Sequence, residues 1–173
     1  MLEVHVKPAP VSWPGRTVAA GFQAKLPTPF AVLGIRTSAG RLTDIAYLPR
    51  GIAALAPLDA LAAETCRQIE RYLDDPEHRF DLPLAIAGTP FQRRVWEEIA
   101  AIPHGQTRTY GDIARHIASA PRAVGGACGA NRLPLIIPCH RVIAAAGGLG
   151  GFMHARGGVP LEIKRWLLRH EGI

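Results

Sequence analysis

The sequence predicts an α/β N-terminal domain, a small sheet plus a helix, over residues 1–87, followed by a mainly α helix-turn-helix domain over residues 88–173. Strand-like runs come early in the chain, helical spacings dominate its second half, and the excess positive charge is confined to that half. A chain of 173 residues is long enough to bury a real core, as one large domain or as two small ones.

The N-terminal half shows a hairpin pattern and then a helix pattern. Apolar runs at residues 31–35 and 42–47 flank a turn at residues 38–40, which predicts two paired strands. Apolar residues then recur at helical spacing and predict a helix from about residue 57 to 73. The stretch 74–88 contains two prolines and is interpreted as a linker.

The C-terminal half begins at Thr89 and Pro90, where a capping hydroxyl followed by proline predicts the start of a helix. A short helix is predicted over residues 109–117, and another begins at residues 119–121, so the two form a helix-turn-helix candidate. An amphipathic helix is predicted over residues 161–170.

Composition narrows the class of protein. The chain is 48% hydrophobic, has no apolar run of the ~20 residues that span a bilayer, and lacks the pattern of a signal peptide, so a cytoplasmic location is expected. The three cysteines, Cys66, Cys128 and Cys139, are widely spaced. This spacing predicts neither a disulfide framework nor a structural zinc site.

The charge is divided unevenly between the two halves. Residues 1–87 contain 9 Lys+Arg and 9 Asp+Glu, whereas residues 88–173 contain 11 Lys+Arg against 5 Asp+Glu. A basic half attached to a neutral half is typical of a protein in which one domain meets phosphates. A merely solvated basic surface is the alternative.

The second helix of the helix-turn-helix candidate is built almost entirely of small residues. A face formed by Ala123, Gly126, Ala127 and Ala130 could approach a minor groove only ~6 Å wide. Arg122 stands at the start of this helix, where it could insert into a base stack. The alternatives are glycines that serve tight helix packing and an ordinary surface arginine.

Cys139 and His140 form the candidate reactive pair. A cysteine beside a histidine can be held as a thiolate, the form in which sulfur is a strong nucleophile. Sequence adjacency is not sufficient, because neighbouring side chains often diverge; a water or a bent backbone is needed, and an acid must orient the imidazole. Glu171 is the leading candidate for that acid, with Asp112 and Glu162 left open. The alternative is a buried thiol beside a surface imidazole.

A set of motifs in one order along the chain then identifies a family. The set consists of Tyr110, residues 122–127, Asn131, Pro134, residues 137–142 and residues 166–171. It resembles the methylated-DNA–protein-cysteine methyltransferases, also called O6-alkylguanine-DNA alkyltransferases, from about Pro90 to Gly172. The resemblance implies a ribonuclease-H-like N-terminal domain and a winged-helix-like second domain.

The resemblance also implies a chemistry. Cys139 would accept the alkyl group of O6-alkylguanine, or of O4-alkylthymine, in an irreversible single turnover, with His140 deprotonating it through a water and Glu171 orienting His140. The partner would be double-stranded DNA that contains O6-alkylguanine, bound by a monomer without metal or cofactor.

Three further groups of residues receive roles from the same resemblance. The DNA-binding residues would be Tyr110, Arg122, Ala123, Gly126 and Ala127. The substrate pocket would contain Pro134, Val142 and Phe152. Asn131 and Arg141 would support the site. Tyr110 would help rotate the damaged nucleotide outward, and Arg122 would replace it in the stack.

Two departures from the family pattern leave the alkyl-group preference open. Phe152 stands where a tyrosine is common, and residues 150–160 form a longer segment than usual. Three alternative functions are a lesion-binding protein without alkyl transfer, a transcriptional regulator and a thiol hydrolase. Cys139 argues against the first, and the lack of a further DNA-binding or effector domain lowers the second.

Overall fold

The computed structural model describes residues 21–173 and begins with a three-stranded antiparallel sheet. Its strands, in spatial order, are β1 (Ala24–Pro27), β2 (Val32–Ser38) and β3 (Arg41–Leu48). Ala39 and Gly40 both have positive φ, 48° and 70°, as a two-residue hairpin turn requires. The predicted hairpin is therefore confirmed. The first 20 residues of the predicted N-terminal domain, on which the signal-peptide prediction falls, lie outside the described residues.

Helix α1 (Ala60–Asp74) packs on this sheet through buried residues that include Ile69 and Tyr72. It begins later than predicted because the Asp59 carboxylate accepts the Ala62 N–H at 2.8 Å and caps the first turn. The predicted linker then packs along the sheet edge. Within it, residues 83–85 exchange two backbone hydrogen bonds with Leu42.

The second half of the described chain is mainly helical. Its elements are α2 (Pro90–Ala100), β4 (Arg108–Thr109), α3 (Tyr110–His116), α4 (Pro121–Gly129), β5 (Val142–Ile143) and α5 (Gly158–His170). The predicted start of α2 is confirmed, because Thr89 and Gln92 form a capping box. The Trp96 indole donates to the Ala127 carbonyl at 2.8 Å and fixes α4 against α2. Strands β4 and β5 pair in parallel and join the start of α3 to the segment after Cys139.

The two halves share one hydrophobic core. The Ile45 N–H donates to the Arg132 carbonyl at 2.8 Å, and the rings of Phe30 and Trp166 lie 4.7 Å apart. The second contact places Phe30, which lies between β1 and β2, against α5, and α5 ends at the candidate site. Within residues 21–173, none of the helices combines the length and the apolar content needed to cross a bilayer.

Candidate active site

Cys139 begins a single 3₁₀ turn, Cys139–Arg141, directly after Pro138. The Cys139 N–H donates to the Ile137 carbonyl at 2.7 Å, and the Arg141 N–H donates to the Pro138 carbonyl at 2.9 Å. The cysteine is only 5% exposed, but it lines a cleft of about 660 Å³. The thiol is thus held by a rigid backbone at the bottom of the cleft.

His140 lies against Glu171, and the structure separates the three acids that the sequence left open. His140 Nε2 and Glu171 Oε1 are 2.8 Å apart, and both side chains are buried. Asp112 instead caps α3 and pairs with Arg115, while Glu162 is exposed on α5. Of these acids, Glu171 is therefore the one positioned to orient His140.

Besides His140, two other side chains, of Arg141 and Tyr72, donate hydrogen bonds to the carboxylate of Glu171. Arg141 donates from Nε to Oε2 at 2.8 Å and from Nη2 to Oε1 at 3.0 Å. The Tyr72 hydroxyl donates to Oε1 at 2.8 Å. Burial raises the pKa of Glu171, but the hydrogen bonds from His140 and Arg141 outweigh it and lower the pKa to about 2. Glu171 is consequently ionised at neutral pH.

The second nitrogen of His140 has a different environment. Nδ1 is buried and has no hydrogen-bond partner among residues 21–173. Burial lowers the pKa of His140 more than the hydrogen bond and the charge of Glu171 raise it. A neutral imidazole that donates from Nε2 to the ionised Glu171 carries a free lone pair on Nδ1. His140 is therefore prepared to accept a proton.

The Cys139 thiol is subject to opposing effects. Burial raises its pKa, whereas a hydrogen bond with Asn131 and the charge of Lys164 lower it, with burial dominant. The resting sulfur is thus a thiol, so nucleophilic attack requires removal of a proton. Asn131 also donates from Nδ2 to the Ile137 carbonyl and accepts the Leu133 N–H, both at 2.9 Å. These two bonds hold the turn between α4 and the Cys139 segment, and the resemblance implies that Asn131 supports the site.

Lys164 was not predicted as a site residue. It is fully buried, and its Nζ donates to the carbonyls of Val142 at 2.6 Å, Leu149 at 2.6 Å and Gly151 at 3.2 Å. Burial lowers its pKa to about 8. The sequence contained one indication of this role: Lys164 stands on the apolar face of the last predicted helix, and a lysine buried there needs hydrogen-bond acceptors.

One wall of the cleft is α4 together with Tyr110. Arg122 and Gly126 line the cleft, and both are exposed, as is Ala123 beside them. Apart from its two chain neighbours and the backbone of its own helix, a Cβ atom on Gly126 would meet no heavy atom of the described residues within 4 Å. Ala127 was predicted to share this face. It is instead buried, because it lies on the side of α4 that packs against α2. Tyr110 is half-buried and donates from its hydroxyl to the Gly151 carbonyl at 2.9 Å.

The long segment after Cys139 forms the opposite wall. Phe152 and Ala155 exchange two backbone hydrogen bonds of 2.9 Å, closing a two-residue hairpin at Met153 and His154, whose φ angles are 52° and 62°. The His154 ring covers Gly129, where a Cβ atom would lie only 2.4 Å from the ring. The additional residues of this segment are therefore folded over the end of α4.

The three predicted pocket residues are not equivalent. Phe152 lines the cleft, although it is only 4% exposed and its ring packs 5.9 Å from that of Tyr47. Val142 is buried, with its carbonyl bonded to Lys164, and Pro134 is buried in the turn after α4. Neither Val142 nor Pro134 is among the described residues that line the cleft.

Known proteins share both the sequence and the fold of this region. The family model for the 6-O-methylguanine DNA methyltransferase DNA-binding domain matches residues 90–173. The methylated-DNA–protein-cysteine methyltransferase of Methanosarcina acetivorans is 48% identical over 111 residues, covering 63% of this chain and 68% of that protein. The constitutive methylated-DNA–protein-cysteine methyltransferase of Bacillus subtilis is 43% identical over 113 residues, covering 64% of this chain and 66% of that protein.

A solved structure extends the similarity to the N-terminal half. Mycobacterium tuberculosis OGT in complex with DNA superposes with a TM-score of 0.73 and 36% identity, covering 85% of this chain and 90% of the other. The predicted small sheet plus helices is thereby confirmed, and the similarity includes both halves of the molecule.

Proposed function

The chain belongs to the 6-O-methylguanine DNA methyltransferase family, and we propose that it transfers the alkyl group of O6-alkylguanine in DNA to the sulfur of Cys139. Its activity is DNA repair by direct reversal, in which a protein cysteine accepts the methyl group, and DNA is its partner. The observation that carries the assignment to Cys139 is its position at the bottom of the cleft, next to a buried His140–Glu171 pair.

The proposed reaction begins with removal of the Cys139 proton. Glu171 holds His140 through Nε2, and the free Nδ1 accepts the thiol proton through a water. The sulfur then attacks the alkyl carbon, so that an S–C bond forms and the C–O6 bond breaks. The electron pair of that bond stays with the guanine, which recovers the proton. The thioether product has no route back to the thiol, and each molecule acts once.

Access to the base requires its extrusion from the duplex. The exposed face of α4, with Ala123 and Gly126, offers a close approach to a minor groove. Arg122 at the rim of the cleft fills the gap that the base leaves, and Tyr110 presses on the backbone beside it. Ala127 serves this surface indirectly, because its carbonyl fixes α4 to α2.

We propose supporting roles for the other predicted residues of the site. Asn131 and Arg141 support the Cys139 turn, and Phe152 contacts the base, with Pro134 and Val142 shaping the pocket from behind. The protein acts as a monomer. Residues 1–87 and 88–173 are its two domains, ribonuclease-H-like and winged-helix-like, which the sheet with α1 and the α3–α4 pair support.

Intact mass spectrometry tests this function directly. After incubation with an oligonucleotide duplex carrying one O6-methylguanine, the protein should gain one methyl group, about 14 Da, on Cys139. Cys66 and Cys128, which are also free and buried, serve as internal controls in peptide mapping. Cys139→Ala should abolish the gain while duplex binding persists. Multiple turnovers per protein, or methyl on another cysteine, would exclude the mechanism.

A further inference from the structure

The N-terminal half reaches the carboxylate of the candidate site through Tyr72. This residue lies near the end of α1, is 2% exposed, and donates its hydroxyl to Glu171 Oε1 at 2.8 Å. Its backbone carbonyl is 2.8 Å from His170 Nε2, and its ring packs 5.2 Å from the His170 ring and 5.6 Å from the Phe80 ring. The hydroxyl is thus held in one place by contacts on several sides.

The hydroxyl is also a permanent donor. Burial and then the charge of Glu171 raise the pKa of Tyr72 far above its usual value of 10, so the proton stays on the tyrosine across the working pH range. Glu171 Oε1 therefore receives hydrogen bonds from three side chains, of Tyr72, His140 and Arg141. Every donor that binds this oxygen takes a share of its negative charge away from His140.

We propose that Tyr72 is a positioning residue for alkyl transfer, which orients Glu171 and, through it, His140. The inference rests on the proposed function of the Cys139 site. It assigns the N-terminal half a direct part in the chemistry, because α1 supplies one of the three hydrogen-bond donors to Glu171 Oε1, the other two being His140 and Arg141 of the second half. The charged groups that face His140 are Glu171, Arg141 and Lys164, and Tyr72 acts on the first of them.

Tyr72→Phe removes the hydroxyl and keeps the ring. Glu171 should then be less well held, and we expect the single-turnover rate at pH 7 to fall about threefold to tenfold. The more basic carboxylate should also stabilise protonated His140. Because only neutral His140 accepts the thiol proton, the acid limb of the pH–rate profile should move upward by roughly half a unit to one unit.

Thr65→Val is the matched control for lost stability. Thr65 lies on the same helix, is fully buried, and donates its hydroxyl to the Leu61 carbonyl at 2.8 Å, within α1. Its removal should lower thermal stability and leave the acid limb in place. If Tyr72→Phe moves only the melting temperature, as Thr65→Val does, the positioning role is wrong.

Replacement of Tyr72 by 3-fluorotyrosine keeps the shape of the side chain and makes the hydroxyl a stronger donor. The acid limb should then move in the opposite direction, to lower pH. An unchanged profile in both Tyr72 variants would overturn the inference even if Tyr72→Phe folds poorly. The proposed function is tested separately, by measuring the number of methyl groups that each wild-type molecule gains. If the wild-type protein gains one methyl group and the Tyr72 variants behave as the wild type, this inference is refuted and the proposed function still stands.

Discussion

Cys139 lies between two regions that differ in burial and in hydrogen bonding. On one side is the carboxylate cluster, which we define as Tyr72, His140, Arg141 and Glu171. Its side chains are largely buried and joined by hydrogen bonds, and they come from three separate parts of the chain. On the other side is the cleft, whose α4 wall presents Arg122 and small residues to solvent.

The difference follows from what each region has to do. A proton acceptor must have its charge arrangement in place before the reaction, and hydrogen bonds are strongest where water is excluded. In the proposed function, the α4 wall must leave room for DNA and for an extruded base, so it has to remain open. On this proposal, the groups that accept the proton are in place within the fold, whereas the recognition surface is completed only when DNA binds.

The largest expected effect comes from breaking the carboxylate cluster. Glu171→Gln removes the charge that balances Arg141 and that stabilises His140 once it accepts a proton, so the methyl-transfer rate should fall roughly 10²–10⁴-fold. Loss of one partner of a buried pair should lower the free energy of unfolding by about 3–5 kcal/mol. Single-turnover kinetics and urea denaturation measure the two losses.

Glu162→Gln is the control for this variant, since it makes the same chemical change on an exposed side chain of α5. It should change both quantities little, with stability within roughly 0.5 kcal/mol of wild type. Comparable rate losses in the two variants would mean that Glu171 does not orient His140.

The second effect is a decrease in the free energy of unfolding at acidic pH, caused by the carboxylate cluster. The pKa of Glu171 is about 2 in the folded protein and 4.5 ordinarily, so its contribution is present above pH 4.5 and is lost as the pH falls toward 2. The contribution is on the order of 3 kcal/mol. His140, whose pKa is lowered from 6.5 by burial, weakens the fold in the same direction once the pH drops below that value.

Chemical denaturation at a series of pH values between 7 and 3 measures this acid effect. Glu171→Gln should flatten the dependence, whereas Arg122→Ala in the cleft wall should leave it as in the wild type. An equally steep acid loss in Glu171→Gln would show that other carboxylates cause it.

The smallest effect concerns the cleft. Arg122→Ala should slow repair of a duplex about tenfold, because unstacking a base costs a few kcal/mol and the arginine offsets part of that cost. Reaction with the free base O6-benzylguanine, where it enters the cleft, needs no unstacking and should change less than about twofold. Pseudo-first-order rates with the two substrates make the comparison.

Arg67→Ala removes one positive charge from the exposed side of α1, far along the chain from the cleft, and controls for net charge. It should leave the rate with the free base unchanged and lower the rate with the duplex only slightly, through the weaker attraction of the protein for DNA phosphates. Equal slowing of duplex and free base in Arg122→Ala would instead give Arg122 a role in the pocket or the fold.

Local sequence rules predicted much of the fold. The turn before β3 and the Thr89–Pro90 start of α2 depend on backbone preferences within a few residues, and both are confirmed. The linker prediction was incomplete, because residues 83–85 pair with the sheet edge. Prolines indicate where a helix stops, but they do not indicate what the next segment packs against.

The candidate site divides in the same way. The order of the motifs along the chain identified the family, and the adjacency of Cys139 and His140 in the sequence made them the candidate reactive pair. The choice of Glu171 over Asp112 and Glu162 required the packing of α5 against the Cys139 turn.

By itself, the sequence predicted the secondary structure of most segments, the candidate reactive pair and the class of chemistry. The tertiary structure alone decided that Tyr72, 99 residues from Glu171, joins the carboxylate cluster, that Lys164 turns inward, and that Ala127 faces α2. The physical reason is range: a turn or a cap is stabilised by neighbours in sequence, whereas a buried polar group takes whichever partner the packing of distant elements brings within hydrogen-bond distance.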